Sequence, residues 1–209
     1  MATYDMSSNP ALGFFCRFVV IYVLLILPWP GLGELYSQYF RALGELAFSR
    51  DNDRRIILFE DHRLVHAFET LDTRMIMGNR DTIDSNGNGR TTTIDLDTRS
   101  IGWDPTALTI ALILATPVPW RRRGWALFWG LVLINVFILF SLQSWIWNAS
   151  PNISLTTLSP FWKEMADDLE YTLITQMGVS FSMPVLIWIL VTFRLEDARR
   201  FTLEPGRKT

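Results

Sequence analysis

The 24 residues GWALFWGLVLINVFILFSLQSWIW, positions 124–147, contain no charged side chain. As one helix rising 1.5 Å per residue they would extend about 36 Å, enough to cross a hydrocarbon layer roughly 30 Å thick. A water-facing helix keeps a polar side, and this run has none. Three further apolar runs are 14–30 (FFCRFVVIYVLLILPWP), 105–120 (PTALTIALILATPVPW) and 171–193 (YTLITQMGVSFSMPVLIWILVTF). The expected fold class is therefore a membrane α-helical protein of about four transmembrane helices. A small extracytoplasmic α+β insertion, an amphipathic helix plus an antiparallel sheet, is expected between the first and second spans.

Arg121, Arg122 and Arg123 lie between the second and third runs. Arg194, Arg199, Arg200, Arg207 and Lys208 follow the fourth. Four spans would gather these clusters and Arg17 on one side, which the positive-inside rule makes cytoplasmic. The expected placement is a multi-pass protein of the cell inner membrane with both termini in the cytoplasm. Trp29, Trp103, Trp120, Trp125, Trp145 and Trp147 fall near the run ends, as indoles do at the headgroup layer. The implied organisation is 1–30 for the N-terminus and first span, 31–103 for the extracytoplasmic helix and β domain, 104–193 for three spans with a short extracytoplasmic loop at 148–169, and 194–209 for a basic tail. Membrane lipid and another membrane protein are the expected partners.

Net charge is −2, from 19 basic and 21 acidic residues, so no overall cationic field would recruit nucleic acid. The single cysteine, Cys16, excludes an internal disulfide and a multi-cysteine zinc cage. No carboxylate or lysine stands near the middle of a run, which argues against a proton-driven pump. Asn135 and the small pair Gly178 and Ser182 read instead as helix-packing residues, and Pro184 as a kink.

Behind the first run, Leu32, Leu35, Tyr36, Tyr39, Leu43 and Leu46 recur at helical spacing while Glu34, Gln38, Arg41 and Glu45 take other sides. This amphipathic helix is expected either to lie in the membrane interface or to pack under the domain that follows. Leu35, Tyr36, Tyr39 and Leu43 are the candidate partner-binding residues. From Arg54 to Ile101 the texture changes to short apolar runs broken by Asp, Asn, Gly and Thr. Thr92, Ile94, Leu96 and Thr98 alternate with Thr91, Thr93, Asp95 and Asp97, the period of a strand with one dry face.

Within IDSNGNGRTTTIDLD, positions 83–97, Asp84, Asn86, Asn88 and Gly89 fit the start of a calcium loop, with Asp95 at its twelfth position. The spacing resembles the calcium loop of dockerin modules, which accept Asp at that last place. The flanks read as strands rather than helices, and Asn and Gly tolerate the positive φ of a hairpin. The stretch is expected to be a corner between strands, with Asp84, Asn86, Asn88 and Asp95 a weak calcium set. No other cofactor is expected.

His62 and His66, four apart in FEDHRLVHAFETLD, are accompanied by Asp61 and Glu69. A helix would put both histidines on one face, but the H-E-x-x-H arrangement is missing; on a strand they share a face at a distance unsuited to chelation. These four residues are the candidates of an alternative reading, a membrane enzyme using extracytoplasmic acid-base or metal chemistry.

The stretch WDPTALTIALILATPVPWRRRGWALFWGLVLIN, 103–135, resembles the membrane core of the exosortase and archaeosortase families: a span, an arginine-rich cytoplasmic turn, and a second span with Asn near its middle. Those enzymes depend on cysteine, arginine and histidine at the outer span ends. Here Trp103, Asp104, Pro105 and Thr106 contain no cysteine, and Val136, Phe137 and Ile138 no arginine, so no catalytic residue carries over. LPWPGLGELYSQYFRALGELAFSR followed by a short sheet is similar to small membrane proteins that accompany such sorting systems. The resemblance covers about half the chain. It implies a non-catalytic accessory or assembly protein, docking a partner through its extracytoplasmic domain, in bacterial protein sorting or envelope polysaccharide export.

Overall fold

The computed structural model describes residues 10–48, 55–66, 69–79, 81, 91–149, 161 and 177–193. Helices α1 (Pro10–Ile26) and α2 (Leu32–Phe48) precede strands β1 (Arg55–His66), β2 (Glu69–Asn79) and β3 (Thr91–Leu96). A π-helical turn (Arg99–Trp103) then runs directly into α3 (Asp104–Ala115), followed by α4 (Trp120–Ala149) and α5 (Met177–Thr192). The chain forms two compact units. One holds α1, α3, α4 as far as Ile134, and α5 from Phe181; the other holds α2, the sheet, the π turn and α4 from Asn135.

The expectation of about four transmembrane helices is not met. Among the described residues α4 alone, 30 residues and about 45 Å, is long and apolar enough to cross a membrane. α1 has 17 residues, α3 has 12, and the described α5 has 16, against the roughly 20 that crossing needs. Prolines account for two of the shortfalls. Pro28 and Pro30 follow the end of α1, and Pro117 and Pro119 stop the expected 105–120 span after Ala115, because each ring removes an N–H donor and biases its predecessor away from helix. Positions 171–176 of the expected fourth span lie outside the described residues, as do 150–160 of the expected loop.

In the first unit α3 is the buried element, with Ala107, Thr109, Ala111, Ile113 and Ala115 all inaccessible. Thr109 Oγ1 donates to Pro105 O at 2.9 Å, so its hydroxyl is satisfied within its own helix. α4 passes closely at Gly130, where a Cβ would meet Ile113 Cδ1 at 2.6 Å. Thr116 closes one end: its Oγ1 accepts from Trp188 Nε1 at 2.8 Å, and its carbonyl accepts from Arg123 Nη2 at 3.0 Å. Arg122 Nη2 donates to Thr192 O at 2.8 Å. Outward-facing positions carry Phe15, Val20 and Val23 on α1 and Leu186 and Leu190 on α5, all exposed.

In the second unit β1, β2 and β3 form an antiparallel sheet in that order. Ile57 pairs with Met77, Phe59 with Met75, and Thr73 with Leu96; this face is buried. α2 contributes Ser37, Phe40, Gly44 and Phe48 as its buried side. Gly44 seats the Phe59 ring, which lies 2.7 Å from where a Cβ would stand. The 80–90 segment, which includes most of the expected calcium loop, joins the antiparallel neighbours β2 and β3.

Candidate functional site

The helical wheel of α2 has three sectors rather than two. The buried residues Ser37, Phe40, Gly44 and Phe48 define one side, and Leu35, Tyr39, Leu43 and Leu46 lie about 150° around the axis from it. Glu34, Gln38 and Arg41 occupy a flank. There Arg63 pairs with Glu34, Arg41 Nη1 stands 3.8 Å from Asp61 Oδ1, and Gln38 Nε2 donates to Glu34 Oε1 at 3.4 Å. The charges are thus drawn to one side, and the sector opposite the sheet is apolar. Leu35 is 66 % exposed and Leu46 79 %, with Tyr39 also exposed and Leu43 half-buried.

Of the four expected partner-binding residues, Tyr36 is committed within the protein. Its ring meets Trp103 edge-on at a centroid distance of 5.3 Å, and a Cβ on Gly102 would stand 2.5 Å from its hydroxyl oxygen. Tyr39 Oη donates to Asn135 Oδ1 at 2.8 Å while its ring stays exposed. Leu35, Tyr39 and Leu43 remain on the outer stripe, and the structure adds Leu46. Leu46 belongs to the sequence periodicity, and its heptad-like distance from Tyr39 was the signal for it.

The other sheet face carries a polar row. Glu60, Arg74 and Asp95 are successive cross-strand partners on β1, β2 and β3. Arg74 Nε and Nη2 donate to Asp95 Oδ1 and Oδ2 at 2.7 and 3.3 Å, and Arg74 Nη2 meets His62 Nε2 at 2.5 Å. The Asp95 hydrogen bonds and the charges of Asp95 and Glu60 hold Arg74 still more firmly protonated than usual, against a smaller desolvation effect. Asp95, the expected twelfth calcium ligand, is therefore Arg74's partner; Asp84, Asn86 and Asn88 lie outside the described residues.

Of the candidate acid-base set, the two members with described side chains have separate partners. Asp61 faces Arg41, and His62 faces Arg74. A bulge between Asp61 and Leu64 shifts the register by one, which puts positions 62 and 66 on opposite sheet faces instead of the shared face expected for a regular strand. The side chains of His66 and Glu69 lie outside the described residues. Among the described residues no three His, Cys, Asp or Glu side chains converge as a metal-ligand group.

Beside the sheet, Asp72 Oδ1 and Oδ2 accept from Thr98 N and Oγ1 at 3.1 and 2.6 Å, fixing the start of the π turn. At the far end of that turn, burial pushes the Asp104 carboxyl above its usual range, with Arg99 lowering it and Asp97 raising it to smaller extents. Asp104 Oδ1 has no hydrogen-bond partner among the described residues and stands 3.8 Å from Arg99 Nε.

On α4, Trp125, Phe128, Val132, Val136, Phe140 and Trp147 are exposed at helical spacing. They make one apolar stripe about 33 Å long, with tryptophan at both ends. No family model matches the chain, and no curated protein or solved structure matches it either.

Proposed function

We propose that this chain is a non-catalytic, membrane-anchored accessory protein: α4 is the anchor, and the outer stripe of α2 docks a partner protein. The stripe from Trp125 to Trp147 supports the anchor, because its length is close to the hydrocarbon thickness and its terminal indoles suit the two headgroup layers. By the positive-inside rule, Arg121–Arg123 favour the cytoplasmic side for the start of α4.

The observation that carries the docking role is the apolar outer sector of α2. A helix that had only to cover the sheet would turn charges toward water there; here Leu35, Tyr39, Leu43 and Leu46 face outward and the charges sit on the flank. The occupant proposed is an apolar helix of another membrane protein, set against these side chains as an amphipathic helix pairs with a groove. Bacterial protein sorting or envelope polysaccharide export is the setting implied by the sequence resemblance.

The test is purification of full-length protein from native membranes in mild detergent, with the stoichiometry of co-purifying membrane proteins measured for the wild type and for the Leu35→Glu/Leu46→Glu variant. The reading requires a fixed-ratio membrane partner that is lost in the variant while membrane retention and thermal stability are kept. A partner retained by the variant would move the interface elsewhere, and the absence of any fixed-ratio partner would remove the docking role.

A further inference from the structure

The start of α4 carries an open groove of about 460 Å³ lined by Trp120, Arg121, Gly124, Trp125 and Phe128. Trp125 and Phe128 are also the first members of the exposed apolar stripe. The groove therefore continues the α4 surface that the anchor reading turns toward lipid, and the inference rests on that reading. The three consecutive arginines here are not equivalent. Arg122 is bound to Thr192 O; Arg123 is bound to Thr116 O, with its guanidinium 4.7 Å from the centre of the Trp120 ring. Arg121 is exposed and makes no hydrogen bond or ion pair among the described residues. It precedes Trp125 by four residues, one turn along the same side of the helix.

Gly124 is the floor of the groove, and nothing lies within 4 Å of a Cβ built there. Any larger side chain would occupy the space. The groove thus offers a guanidinium that has no partner among the described residues next to an aromatic wall, at the level where tryptophans mark the membrane interface. Guanidinium is a geometric match for phosphate, and its hydrogen bonds to an anion strengthen outside bulk water. The Trp125 and Phe128 rings, edge to face at a centroid distance of 6.2 Å, make one apolar wall that suits the first methylenes of an acyl chain. A soluble phosphate would use the first of these features and leave the second bare.

We infer that this groove binds one anionic phospholipid, its phosphate on Arg121 and its proximal acyl chain along Trp125 and Phe128 above Gly124. The test uses the full-length protein in mild detergent, titrated with phosphatidylglycerol or phosphatidylcholine, with bound lipid counted by native mass spectrometry. Phosphatidylglycerol should bind at one site in preference to phosphatidylcholine. Arg121→Gln should weaken it about tenfold or more, the loss expected of one charge-assisted contact. Gly124→Leu should weaken it comparably with the charge intact, and Arg99→Gln, a charge change in the other unit, should leave it unaltered.

Equal retention of the two lipids, or unaltered binding by Arg121→Gln, would overturn the inference. Displacement of phosphatidylglycerol by millimolar inorganic phosphate, with Gly124→Leu inert, would also overturn it by reducing the site to a simple phosphate contact. Extraction of the chain from membranes by alkaline carbonate without detergent would overturn the anchor reading, and the lipid site with it. A chain that resists carbonate but shows no lipid preference would overturn the lipid site alone.

Discussion

Gly44 and Phe59 meet with no room for a methyl group: a Cβ on Gly44 would stand 2.7 Å from Phe59 Cζ. This contact sets how closely α2 lies on the sheet. In an open helix, Gly→Ala stabilises by up to about 1 kcal/mol. At position 44 the added carbon must displace a ring that is itself buried, and overpacking of that kind costs about 1–3 kcal/mol. Gly44→Ala is therefore expected to lower the melting temperature in detergent. Gly33→Ala, in the same helix with open space around it, should not.

This contact also explains why the sequence pattern of α2 was only half informative. The Leu and Tyr periodicity identifies the helix and the stripe, but the side against the sheet is Ser37, Phe40, Gly44 and Phe48, two large and two small residues at near-helical spacing. Close packing of helix on sheet selects for small residues, which hydropathy alone undervalues. Other features turn on register or length. The period-two pattern of Thr91–Leu96 showed a strand, whereas the bulge after Asp61 has no signature in residue type and separates the positions of His62 and His66. Apolar composition found α1, α3, α4 and α5, but not where Pro117 would cut its run. The Arg74 and Asp95 pair joins strands 21 positions apart and required the sheet order to be seen.

Asp72 joins the end of the sheet to the π turn through both carboxylate oxygens, on a Thr98 that is almost fully buried. Asp72→Ala would leave the Thr98 amide and hydroxyl without these acceptors, at a cost of about 1–3 kcal/mol. For a chain of this size that lowers the melting temperature by roughly 2–4 °C per kcal/mol. Asp72→Asn retains one acceptor and should lose less. Equal losses for the two variants, read by thermal melts in the same detergent, would show that the whole effect lies in the second acceptor and the charge that Asn gives up, and not in the shape of the side chain.

Asp104 should make stability pH-dependent with an unusual sign for a carboxylate. Because burial raises its pKa in the folded state, the folded protein still holds this proton at pH values where the unfolded chain, near 3.8, has released it. Its contribution is most favourable below the unfolded value and is lost as pH rises through the folded one, leaving a charged, partly buried group at neutral pH. Asp104→Asn is expected to raise the melting temperature at pH 7 and to remove the part of the pH slope lying above 3.8. The loose Arg99 pairing it gives up, at 3.8 Å, is worth little. Melts of wild type and variant from pH 4 to 7 measure the difference directly, and a variant curve parallel to the wild type would assign the slope to other groups.

Thr116 carries four bonds at the end of α3: its hydroxyl donates to Leu112 O at 2.7 Å and accepts from Trp188 Nε1 at 2.8 Å, and its carbonyl accepts from Arg123 Nη2 and from Val118 N at 2.9 Å. Thr116→Val keeps the volume and the carbonyl but removes the hydroxyl, so the Trp188 indole loses its acceptor. A loss of about 1 kcal/mol is expected, rising toward 3 where the N–H cannot reach water. Thr116→Ser restores the hydroxyl and should recover most of it, with the missing methyl accounting for the remainder. If Trp188→Phe is combined with Thr116→Val, the pair should cost less than the two single changes added together, because the lost bond is then counted once. Strict additivity in that cycle would mean that the indole and the threonine do not share a hydrogen bond in the folded protein.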